Sequence, residues 1–168
     1  TLIVDCSKSM QYGSSNKISW SKFDHAATAA ASLTHLLQRQ QDAVGLVTFN
    51  HAIQTNLRAN SHPSHLKRLL HELENTSVDD QTDVGKVFGE LASQISQRGM
   101  VCLFSDLFVD LKTLEKAIAK FRHRQHEMIV FHVMHNDELE FPFEDNTLFK
   151  GLEAVSYTHL TLPTIRMV

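Results

Sequence analysis

The sequence predicts an α/β fold, with a mostly parallel central sheet, one short antiparallel edge strand and helices on both faces. Three observations carry this. First, apolar runs of strand length, L-I-V at 2–4, A-V-G-L-V-T-F at 43–49 and M-V-C-L-F at 100–104, stop abruptly at polar residues. Continuous runs of this kind belong to parallel strands buried on both faces. Second, the stretches between them repeat apolar residues at helical spacing. Third, strands and helices alternate along the chain, which favours crossover connections over a meander.

Each element follows in order. The first strand ends at Asp5, and 11–19 is a polar loop containing Gly13. Residues 19–41 form a helix with Phe23, Ala26, Ala27, Ala30, Leu33 and Leu37 on one face. Trp20 and Phe23 read as helix-packing residues. Residues 43–49 are the second strand, and 53–57 alternate like a short edge strand joined to it by a hairpin. Residues 61–74 are a helix with Pro63 in its first turn and Leu66, Leu69, Leu70 and Leu73 inward. After a polar loop with Asp79 and Asp80, residues 82–96 fit the helical template with Val84, Val87, Phe88, Leu91, Ala92 and Ile95. The strand at 100–104 stops at Ser105 and Asp106. A helix at 111–123 faces Leu111, Leu114, Ala117, Ile118 and Phe121 inward. A further strand covers 128–134, and 137–153 shows no simple period.

Bulk properties narrow the function classes. The chain has 168 residues, enough for one domain with a core. A net charge of −3 supplies no basic field for nucleic acid. No apolar run approaches the roughly 20 residues that span a bilayer. Two cysteines, Cys6 and Cys102, make no disulfide framework and are expected as free thiols in a reducing, cytoplasmic compartment. Cys6 reads as a buried strand-end thiol. The 11 histidines are scattered and form no H-E-x-x-H. The chain starts at Thr1 inside a strand, so an N-terminal portion, with room for an anchor, is expected before it. Residues 155–164, V-S-Y-T-H-L-T-L-P-T, resemble the translation of a sequencing-library adapter. The expected division is a domain at 1–153, cut at both ends, and a non-native tail at 154–168.

The chemistry converges on three loops. Asp5-x-Ser7-x-Ser9 follows the first strand, Thr82 opens a helix after an acidic loop, and Asp106 follows the strand at 100–104. In an open α/β sheet, ligands collect outside the carboxyl ends of the strands. Two carboxylates and three hydroxyls gathered there suit a hard divalent cation. The plainer alternative is that the same side chains cap helices and turns.

These residues resemble the metal-ion-dependent adhesion site (MIDAS) of von Willebrand factor A (vWA) domains. D-C-S-K-S-M, K-F-D-H-A, Q-D-A-V-G-L-V-T-F, T-D, S-D-L, E-L-E-F-P-F and L-F-K-G-L-E are similar to one bacterial branch. That branch is the vWA-like family of unknown function (domain of unknown function 58), often encoded beside MoxR-type AAA ATPases. The resemblance runs from about Leu2 to Glu153. It implies a Rossmann-like vWA fold. It also implies an Mg²⁺ site, with Mn²⁺ or Ca²⁺ as alternatives, held by Asp5, Ser7, Ser9, Thr82 and Asp106. An acidic side chain of a protein partner would complete the site, and the AAA ATPase would be a co-worker. Gln81 stands where a glycine often precedes the threonine, and Leu107 where many adhesion sites have glycine.

The leading expectation is therefore a non-enzymatic, metal-dependent protein-interaction module. The alternatives are a metal-assisted phosphatase or hydrolase, which would need a base beside Ser7 or Ser9, and a metal-free structural domain.

Overall fold

The computed structural model describes residues 1–13, 20–79, 84–95, 98–141, 147–150 and 157–160. Thr82, Gln81, Asp80 and Asp83 lie outside the described residues. The elements run β1 (Leu2–Asp5), a 3₁₀ turn (Lys8–Gln11), α1 (Lys22–Arg39), β2 (Val44–Phe49), β3 (Ile53–Asn60), α2 (Pro63–Glu74), α3 (Val84–Gln94) and β4 (Met100–Ser105). They continue with α4 (Leu111–His123), β5 (Glu127–His132), α5 (Asn136–Glu140), β6 (Thr147–Lys150) and β7 (Tyr157–Leu160).

Five strands form one sheet in the order β3-β2-β1-β4-β5. β1 pairs in parallel with β2 and β4, β4 pairs in parallel with β5, and β3 alone runs antiparallel, against β2. The fold class read from the sequence is thus the one observed. β1 sits in the middle because its four residues are buried on both faces. The chain builds outward from β1 through β2 and β3, then crosses to the other side for β4 and β5. The direction of winding reverses between β1 and β4, which is the place where an open sheet leaves a crevice.

Alternation along the strands feeds two cores. Leu2, Val4, Cys102 and Phe104 pack on one side, with Phe23, Ala26 and Ala30 of α1 and Leu69 and Leu73 of α2. Ile3, Val101 and Leu103 pack on the other, with Val87, Phe88 and Leu91 of α3 and Ala117 and Phe121 of α4. Each fully buried aliphatic or aromatic side chain contributes about 1.5–3 kcal/mol. Phe88 meets Phe49 and Phe121 edge-on, with centroids 5.5 and 5.7 Å apart.

Several expectations needed correction. α1 starts at Lys22 because Ser21 and Asp24 form a capping box. That leaves Trp20 outside the helix and 60% exposed, so it does not pack as expected. β3 extends to Asn60, which pairs with Val44. Leu111 is 68% exposed, and on α4 only Ala117 and Phe121 reach full burial. β5 ends at His132, whose pairing with Ser105 is closed by the Val133 N–H donating to Ser105 O at 3.0 Å. α5 and the antiparallel pair β6–β7 were not foreseen. The former opens on a capping box between His135 and Glu138.

Candidate metal centre

The site is built from the residues that end β1 and β4. β1 carries its apolar run to Asp5, whose carboxylate is buried. The chain then turns: Ser7 N–H donates to Asp5 Oδ1 at 2.9 Å, and the 3₁₀ turn follows. Ser7 and Ser9 are both buried, and their hydroxyl oxygens lie 3.2 Å apart. Ser7 makes no side-chain cap to the turn it precedes, so its hydroxyl remains with the cluster.

Across the crevice, Ser105 Oγ donates to Asp5 Oδ2 at 2.6 Å and joins the ends of the two strands. Leu107 N–H donates to Ser105 Oγ, and Phe108 N–H donates to Asp106 Oδ1 at 3.2 Å. These bonds hold a tight turn in which Leu107 takes a φ of +55°. That is the left-handed conformation glycine adopts freely, and Leu107 is the position where adhesion sites often carry glycine. His132 Nε2 donates to the Asp106 carbonyl at 3.0 Å, so β5 supports the turn from its outer side.

The structure thus brings Asp5, Ser7, Ser9 and Asp106 to one edge, while Thr82 falls outside the described residues. Burial pushes the Asp5 carboxyl up to about 6. Hydrogen bonds from Ser105 and Ser7 oppose the rise, and the charge of Asp106 adds to it. Burial also pushes the Cys6 thiol up to about 12, with Asp5 adding to the effect, which leaves Cys6 a protonated core residue donating to Phe49 O.

Three residues of the site went unrecognised in the sequence. Ser105 bridges the strand ends. Lys22, the first residue of α1, places Nζ 2.8 Å from Asp106 Oδ2 and 2.8 Å from Glu138 Oε1 of α5. Burial alone would lower the Lys22 ammonium, but its two carboxylate bonds outweigh that and raise it. One signal was readable: a lysine in the first turn of a helix opposes the helix dipole and needs another reason to be there. Glu138 carried no such signal.

The donor set fits a hard divalent cation in kind. It is made of oxygens alone, from two carboxylates and two hydroxyls. Each carboxylate oxygen accepts one internal bond and, with about two lone-pair positions, keeps capacity for another. Among the described residues no group of three or more His, Cys, Asp or Glu side chains converges. Any cation here would therefore rest partly on hydroxyls and water, as Mg²⁺ tolerates.

Two solved structures share the fold. One is described as an aerotolerance-related membrane protein from Bacteroides fragilis, carrying multiple mutations to serine. It is 18% identical, with a TM-score of 0.60 over 77% of this chain and 64% of that one. The other, the conserved hypothetical protein BatB from Bacteroides thetaiotaomicron, is 16% identical, with a TM-score of 0.56 over 77% and 63%. The chain therefore spans less than two thirds of either structure. No curated protein matches it. The family described as protein of unknown function DUF58 matches residues 1–167, and the chain belongs to that family.

Proposed function

We propose that this DUF58 domain is a vWA-type protein-interaction module whose contact is completed by a divalent cation, Mg²⁺ in the first place. One observation carries the reading. The buried carboxylates of Asp5 and Asp106 and the hydroxyls of Ser7 and Ser9 converge at the carboxyl ends of β1 and β4, where the sheet order reverses. Asp5, Ser7 and Ser9 would hold the ion with Thr82, and Asp106 would hold it directly or through water. A bound cation would supply a Lewis-acidic position able to take an acidic side chain of a partner.

The surroundings favour a protein partner. Phe108, two residues beyond Asp106, is 72% exposed, and Trp20, two residues before Lys22, is also open to solvent. Aromatic residues are enriched at protein interaction surfaces. The partner class is a protein presenting a carboxylate, and a MoxR-type AAA ATPase is the proposed co-worker. Catalysis is not part of the proposal. His132 bonds the Asp106 carbonyl and His135 caps α5, so both are committed to positions other than Ser7 or Ser9.

Thermal unfolding with and without Mg²⁺ tests the reading. Binding to the native state at a hundredfold excess over Kd adds about 2.7 kcal/mol and raises the melting temperature. The rise is expected in the wild type and not in Asp5→Asn. An identical response of the two proteins would contradict it.

A further inference from the structure

The geometry points to Lys22 as a resident cation of this site: its ammonium competes with a bound divalent ion for the Asp106 carboxylate, and Glu138 sets how strongly. This rests on the metal-site reading above.

The position of Lys22 is costly in every respect except this one. Its side chain is 3% exposed, and a buried ammonium is strongly disfavoured unless paired. It begins α1, where the helix dipole repels a positive charge. What compensates is the pair of carboxylates at 2.8 Å. One belongs to the candidate metal ligand Asp106. The other, Glu138, is held in place because its second oxygen accepts from His135 N–H at 2.8 Å. α5 is pinned again where Tyr12 OH donates to Asp137 Oδ2 at 2.9 Å and the Tyr12 ring meets His135 edge-on. Tyr12 directly follows the turn that carries Ser9. α5 therefore touches both sides of the candidate site.

The electrostatic consequence has a definite sign. Glu138 draws part of the ammonium's attraction away from Asp106 and leaves the corner net negative. Neutralising Glu138 leaves Lys22 wholly to Asp106, so a divalent ion meets more positive charge. Neutralising Lys22 does the reverse. Lys22 and Asp106 are buried, so the field between them is weakly screened, whereas Glu138 is partly exposed and its field is screened by salt.

The test uses Mn²⁺ alone as probe. The free ion is followed by electron paramagnetic resonance while the complete chain is titrated. Lys22→Gln is expected to bind Mn²⁺ about tenfold more tightly than wild type, and Glu138→Gln several-fold more weakly. A triad that only braced the fold would weaken binding in both variants. Tighter binding in Lys22→Gln supports the proposal, and unchanged or weaker binding in a folded Lys22→Gln overturns it. Lys22→Gln leaves Asp106 without its counter-charge, so Glu138→Gln provides an independent arm should the first variant not fold. The Glu138→Gln deficit should shrink in high salt, because Glu138 is partly exposed. An affinity equal to wild type, or a salt-independent deficit, overturns the proposal. Wild-type binding that depends on Asp5 but ignores both substitutions defeats this inference alone. Absence of saturable Mn²⁺ binding in the wild type defeats the metal-site reading with it.

Discussion

Asp5 is the residue on which the site turns, and its environment makes a sharp prediction. Without a bound cation, burial holds its native carboxyl up at about 6, against 3.8 for a solvated aspartate. Between those values the native state binds more protons than the unfolded chain, so stability falls as pH rises. The loss is complete above the native value. A shift of this size corresponds to about 3 kcal/mol. Asp5→Asn cannot ionise, so its advantage over the metal-free wild type should grow from about pH 4 to about pH 7. Urea midpoints at the two pH values check this, and parallel profiles for the two proteins would contradict it. Asp5, Ser7, Ser9 and Asp106 were legible because strand-end carboxylates and hydroxyls leave a spacing pattern. Ser105 and Glu138 were not, because their roles depend on which strands neighbour one another and on a helix of five residues. The lysine at position 22 could have been noticed, since it sits against the helix dipole, but its partners are 84 and 116 residues away.

At the scale of elements, the strands were the easiest to read and the connections the hardest. β1 and β2 are buried throughout and β4 from Val101 onward, so their runs are almost wholly apolar, with Thr48 the polar residue inside β2. α4 matches its expected bounds because Asp110 caps it and Thr113 N–H completes the cap. β5 deviates because it is an edge strand with Ile129 and Phe131 partly open, so no unbroken buried run marks its end in the sequence. Two substitutions probe these contacts. A Cβ on Gly45 would lie 2.9 Å from Leu57 O and 3.0 Å from Ala59 N of β3. Both are backbone atoms in a paired strand, so Gly45→Ala should separate β2 from β3 and cost about 1–3 kcal/mol. Phe88→Ala removes the ring between Phe49 and Phe121 and should cost about 3–5 kcal/mol. Chemical denaturation measures both, and losses under about 0.5 kcal/mol, the range of ordinary surface changes, would contradict the packing described.

At the scale of the molecule, one reversal of strand order organises the rest. β1 takes β2 on one side and β4 on the other, so the loops after β1 and β4 open together. The fold was readable in advance because alternating apolar runs and helical faces leave few arrangements. That Asp5 and Asp106 share one edge follows from the same order, and the Ser105 bond at 2.6 Å fixes it. The structural neighbours share this fold at under a fifth identity. The central claim is that this edge holds a divalent cation. Isothermal titration of the metal-free chain with Mg²⁺ tests it most directly. One saturable site per chain is expected, lost in Asp5→Asn and weakened in a Ser7→Ala, Ser9→Ala double variant. No saturable heat in the wild type, or an unchanged isotherm in Asp5→Asn, would contradict it.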